Sequence, residues 1–444
     1  MKQNKARLCA LFAALSSPLL AQYGGFGGPS ILSRGMGGGG RTGSNPIGFS
    51  FFAGATGNYS TNLNSFSNDP NSASLVLRDT FGANGLAGIQ GYRTTPRTST
   101  SVDFVVNYMW TRSSRVSRGL SESLSFTHSR QISRRVVWYL GAQGQSTNRG
   151  LTFANPRYSP EPLPELTPQQ DEIFDTRTYR ANVGTGITFQ KSSRLAFSAQ
   201  VGAFGNERKS KRLVDSRGFL GQASVQYSLS RRQYVGASFS YGTFYFPGAY
   251  GESRYYSPQA IYGVALSRSW NLNLSAGIYS AHTDRLVSVQ LDPFIAELTG
   301  QRTALEIFRG DSRGFSGGLG LLGNYRKWAI SITAVRGIMP GNGFYLTSEQ
   351  TSVGGNVSHT LGRRASWALF TRAAEARALT QTIGKMRLYS AGTSFNYRLN
   401  SLLSFNSTVG VFRSRAAGSL IQSDRFTASA GIVFSPGELP LHIF

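Results

Sequence analysis

Residues Phe219-Leu220-Gly221-Gln222-Ala223-Ser224-Val225-Gln226-Tyr227-Ser228-Leu229 alternate between apolar, aromatic or Gly positions and mostly small polar ones. Successive side chains of a β-strand point to opposite faces, so this alternation builds one apolar face and one wet face. The pattern recurs from about 47 to 434. No stretch approaches the ~18 consecutive apolar residues of a transmembrane helix. Many two-faced strands with no helical run predict a closed sheet with lipid outside and water inside.

The first residues read as an address rather than as structure. Lys2, Lys5 and Arg7 precede an apolar run from Leu8 to Leu15, and Ser16-Ser17-Pro18-Leu19-Leu20-Ala21 follows. This resembles a secretory signal peptide over residues 1–21, cut after Ala21. Cys9 is the single cysteine, so the exported chain is expected to carry no disulfide and no zinc–thiolate site. Residues 22–46 form a Gly-rich periplasmic leader, too short for a folded plug. The barrel is expected over 47–434 and a periplasmic tail over 435–444. A formal net charge of +25 suggests nucleic acid at first sight, but export argues against that partner.

The spacing predicts an all-β fold, a transmembrane antiparallel β-barrel of about eighteen strands. The count falls to sixteen if the weak segment 84–93 and one partner are dropped. In that weak strand Leu86, Gly88 and Tyr92 are expected to face lipid. The connections alternate in kind. One set is short and basic, including Ser133-Arg134-Arg135, Ser230-Arg231-Arg232 and Gly362-Arg363-Arg364. The other is long: about 148–175, 206–214, 247–256, 283–313, 337–347, 376–384 and 414–423. Barrels have short periplasmic turns and longer extracellular loops, which sets the direction of the chain.

The expected inner face carries small neutral polar residues such as Asn182, Gln200, Gln222, Ser224, Asn273 and Asn406. Such a face leaves a wide barrel unfilled. Arg180, Arg387, Arg398, Arg413 and Arg425 fall at strand ends. They read as anchors for anionic headgroups and lipopolysaccharide phosphates, or as an electropositive pore mouth favouring anions. The Pro-rich acidic segment from Asn155 to Asp175 is expected as an exposed loop, with a lid or a divalent-cation clamp as the alternative. The segment 283–313 contains Asp292-Pro293, a helix-start signature. It is either an external cap or a constriction folded inward, with Asp292, Glu297 and Glu306 opposing Arg residues of the wall. His128, His282, His359 and His442 show neither triad nor metal-ligand spacing, so no enzyme, cofactor or metal is expected.

On these features the chain resembles the outer-membrane β-barrel proteins of Gram-negative bacteria. The resemblance covers 47–434 and rests on the repeated dyad, the Arg-marked turns and the signal peptide. It implies a place in the cell outer membrane and recognition by the barrel-assembly machinery through a terminal aromatic, Phe434 or Phe444. Pro436 and Pro440 argue against a simple continuation of the last strand. The implied function is a passive channel for small hydrophilic solutes. An exopolysaccharide-export conduit and a surface-interaction barrel without transport stand as alternatives.

Overall fold

The computed structural model describes residues 47–66, 75–112, 119–148, 177–210, 213–249, 251–290, 303–341, 346–379, 385–416, 422–436 and 438–441. The segments expected as a signal peptide and a leader, and the Asn155–Asp175 segment, therefore lie outside the described residues. So do Asp292, Glu297, His442 and Phe444.

The strands are β1 (Ile47–Phe66), β2 (Leu75–Thr94), β3 (Thr98–Thr111), β4 (Gly119–Gln131), β5 (Val136–Asn148) and β6 (Arg177–Gln190). Then come β7 (Leu195–Arg208), β8 (Ser216–Ser228), β9 (Gln233–Phe246), β10 (Gly251–Ala265), β11 (Trp270–Gln290) and β12 (Thr303–Tyr325). The last are β13 (Trp328–Pro340), β14 (Thr347–Leu361), β15 (Ala365–Ala378), β16 (Met386–Arg398), β17 (Leu403–Ala416), β18 (Gln422–Phe434) and β19 (Glu438–Leu441). Each strand from β1 to β18 pairs antiparallel with the next, and β1 closes on β18 from Ala53 opposite Phe434 to Ser60 opposite Thr427. The fold is thus a closed barrel of eighteen staves, with β19 an added short segment.

Residues directly opposite one another in a ladder share a face. Phe51 opposes Ile89, which opposes Phe104, and all are exposed. The same outer face carries Val201, Phe219, Phe239, Ile278 and Ile332. A closed barrel clad in exposed aliphatic and aromatic side chains is built to sit in a bilayer of the outer-membrane type. Trp138, Trp328 and Trp367 ring its short-turn end on the outside, and Trp110 stands near the other end. His128 and His359 face outward in the same lower ring, beside Trp138 at 5.6 Å and Trp328 at 4.2 Å.

The short turns have a common construction. The hydroxyls of Ser133, Ser192, Ser230 and Ser267 each accept the backbone N–H of the residue two positions on. Asn400 does the same for Leu402. These side-chain turns explain why Ser or Asn so often opens the basic connections. The turn after β12 is tighter. Arg326 there sits at φ 51°, a left-handed conformation usual for Gly or Asn.

Three expectations change. In β2 the faces are reversed: Leu86 and Gly88 point inward, where Leu86 packs with Phe52, Val433 and Val105, while Phe81 and Ile89 face out. Gly82, Gly85, Gly88 and Gly91 blur the alternation there, and size alone misassigns Leu86 and Tyr92. Second, much of the sequence expected as loop is strand. β1 and β2 pair up to Phe66 opposite Leu75, β9 and β10 are joined over 247–250, and β11–β12 pair as far as Gln290 opposite Thr303. Third, the chain breaks after Phe434 but resumes as β19, with Leu441 opposite Ile47 and Pro440 opposite Gly48. Pairing on one side alone tolerates Pro440, which has no N–H to give.

Candidate permeation pathway

The inner face is polar, as the dyad predicts. Ser198 and Ser224 share a hydrogen bond at 2.7 Å, and Gln200 donates to Gln222 at 2.7 Å. Nearer the short-turn end, Thr188, Gln226, Ser358 and Asn396 remain half-exposed.

Large aromatics also point inward, which the dyad does not reveal. They are held against the wall by glycines directly opposite. Tyr234 opposes Gly263, Tyr139 opposes Gly186, Phe52 opposes Gly88 and Phe370 opposes Gly392. A Cβ on Gly263 would lie 2.0 Å from the Tyr234 ring, and one on Gly186 2.3 Å from the Tyr139 hydroxyl. Each ring therefore lies over its glycine, occupying the space a side chain would fill. The hydroxyls are then tied along the wall: Tyr139 donates to Gln200 at 2.6 Å and Tyr234 to Asn273 at 2.9 Å.

The extracellular end is different. Ser60, Thr80, Thr111, Thr178, Ser253 and Thr283 are inward hydroxyls near that end, and each is at most 2% exposed. Part of the closure comes from β13–β14. β12 pairs with β13 only as far as Gly317 opposite Arg336. Beyond it, β13 keeps only β14 as a partner, to Pro340 opposite Thr347, while β14 stays paired with β15 up to Ser348 opposite Ala378. Their tip reaches the inside of a distant part of the wall. The Thr347 hydroxyl donates to Ser253 at 2.6 Å, and Ser253 bonds Thr283 at 2.7 Å. Ile338 and Leu346 are buried with Phe204, Leu220, Phe244, Phe246 and Tyr279. Burying each aliphatic side chain contributes about 2 kcal/mol, so the tip is held inward by an apolar contact of several kcal/mol.

The neighbouring β11–β12 hairpin behaves in the opposite way. It continues as a paired ribbon past the last β10 partner, Glu252 opposite Asp284. Leu305, Ile307 and Phe308 on it are exposed. Glu306, expected as part of a constriction, lies on this ribbon opposite Val287 and is exposed. On its outer face His282 Nδ1 lies 2.6 Å from Asp311, and Nε2 lies 3.3 Å from Asp284. The hydrogen bond to Asp311, aided by the Asp284 charge, raises the His282 pKa.

The arginines expected at the mouth divide into groups. Arg180 and Arg425 share the inner face near the extracellular end, and Arg425 is 6% exposed. Arg387 and Arg413 point outward and pair with Glu375 and Asp424. Arg398 lies at a short turn, donating from Nε to the Asn400 carbonyl. Two inward arginines escape the sequence reading. Arg208 donates to the Val214 carbonyl beside the tip cluster, and Arg372 stands at mid-wall opposite Gly354 and Ser390. Extending the alternation of Trp367 and Leu369 would have placed Arg372 inside. Asp103 is an inward acid, bonded by Ser125 at 3.2 Å.

No family model matches the chain, and no curated protein matches it. Solved structures do resemble it. One is the outer membrane protein OpdK from Pseudomonas aeruginosa, at 9% identity and TM-score 0.43, covering 87% of this chain and 98% of that one. Another is OccAB4 from Acinetobacter baumannii, at 11% identity and TM-score 0.43, covering 90% and 100%. A third, a bacterial polysaccharide outer membrane secretin, has 10% identity and TM-score 0.33, covering 86% and 97%. The barrel architecture of this chain rests on its own strand register.

Proposed function

We propose that this barrel is a passive outer-membrane channel for small hydrophilic solutes, favouring anions, with flow restricted at the extracellular end by the β13–β14 tip. The carrying observation is the inner wall: a Ser, Asn and Gln surface with its aromatics laid flat over glycines. A barrel meant to be solid would fill that space with large side chains. The anion preference is supported by Arg180, Arg208, Arg372 and Arg425 facing inward against Asp103.

Liposome swelling tests the reading. Vesicles holding the folded protein should swell in small neutral sugars and faster in organic anions of the same size. Absence of flux for every solute would reject the channel. The surface-interaction alternative is favoured by one feature, the projecting β11–β12 ribbon with exposed Leu305 and Ile307, and it predicts that absence.

A further inference from the structure

The two rims of the barrel differ in charge. At the long-loop rim, cations sit beside acids: Arg217 with Glu207, Arg254 with Glu252, Arg336 with Glu349 and Arg413 with Asp424. At the short-turn rim, every connection carries a cation in or beside the turn, and the described turns contain no acid. The nearest described acid at that end is Glu438, on β19. Arg134-Arg135, Arg231-Arg232 and Arg363-Arg364 are exposed and lie in turns well separated around the wall. Trp138, Trp328 and Trp367 lie within a few residues of the turns, which puts the guanidinium groups at headgroup level.

We propose that this rim is a binding ring for anionic phospholipids of the periplasmic leaflet. Three features select that occupant. The cations recur at every turn, so the partner surrounds the barrel; a protein docking from one side would need them on one side. They sit at the membrane edge beside an aromatic belt. They are predominantly Arg, whose planar fork matches phosphate oxygens two at a time. The expectation of lipopolysaccharide contact places anchoring at the other leaflet; the charge balance shifts it to this one. The inference does not depend on solute transport.

The girdle tryptophans give a direct readout. The mature protein is folded into phosphatidylcholine vesicles, and brominated phosphatidylglycerol or brominated phosphatidylcholine is titrated in as quencher. Tryptophan quenching should show preferential association of the anionic lipid, by about five-fold per engaged cation and screened by salt. Replacing Arg with Gln in the pairs Arg134/Arg135, Arg231/Arg232 and Arg363/Arg364, one turn at a time and then together, should lower the preference stepwise. Substituting Arg217→Gln and Arg413→Gln at the opposite rim should leave it unchanged. If the combined variant does not fold, the single-turn variants carry the test. Equal quenching by both lipids in the wild type overturns the proposal. So does a preference that survives all six substitutions, or one lost entirely from a single turn, which marks a discrete site. Inorganic phosphate abolishing the preference, where chloride of equal ionic strength does not, also overturns it in favour of a free-anion site.

Discussion

Tyr234 and Gly263 show how single residues set the bore. The ring can lie against the wall because its opposite residue has no side chain, and its hydroxyl then reaches Asn273. We predict that Gly263→Val forces the ring off the wall, costing roughly 1–3 kcal/mol and lowering single-channel conductance. Gly144→Ala, where a Cβ meets nothing within 4 Å, is the control. A urea midpoint for Gly263→Val equal to that of Gly144→Ala would contradict the packing account. His282 supplies a second residue-scale prediction. Its pKa is raised, so the contacts to Asp311 and Asp284 stabilise the ribbon below the ordinary histidine pKa and fade as pH rises through the higher folded value. Histidine NMR should find this ring titrating above 6.5, and Asp311→Asn should bring it down. An unmoved titration in that variant would remove Asp311 as the cause. Neither arrangement is visible in the alternation itself. Tyr234 falls in the polar phase of its strand, and only the register shows that glycine stands opposite.

At the scale of elements, two neighbouring hairpins part at Gly317 and Arg336 and take opposite directions. The sequence marks 283–313 and 337–347 alike as segments between strands. The first drew the constriction reading because its acids could meet wall arginines. The second holds apolar residues, Ile338, Met339 and Leu346, where an exposed tip would be polar. That mismatch is the signal a sequence reader could have used. Replacing 286–307 by a tight turn is predicted to leave conductance unchanged, because the described part of this ribbon has neither a β10 nor a β13 partner and its Leu305, Ile307 and Phe308 are exposed rather than packed on the wall. A large rise in conductance on that replacement would return the constriction to this hairpin, with Asp292, Glu297 and Glu306.

For the whole molecule, the antiparallel barrel and the direction of the chain were legible from the dyad and from the short and long connections. The faces of β2 are not legible because its glycines remove the size difference between them, and only its pairing with β1 and β3 distinguishes inner from outer. Closure was not legible at all: it depends on contacts such as Thr347 to Ser253, between residues far apart in sequence. The central claim is a water-filled conduit narrowed from inside by the β13–β14 tip. A cysteine pair tests it cleanly, because Cys9 is the chain's single native cysteine. Single-channel currents are recorded from Ser253→Cys/Thr347→Cys, oxidised and then reduced in the same bilayer. Currents should be equally small in both states, because the apolar contact already holds the tip inward, and larger in an Ile338→Ser/Leu346→Ser variant that loosens it. An oxidised-state conductance equal to that of the loosened variant would contradict the claim.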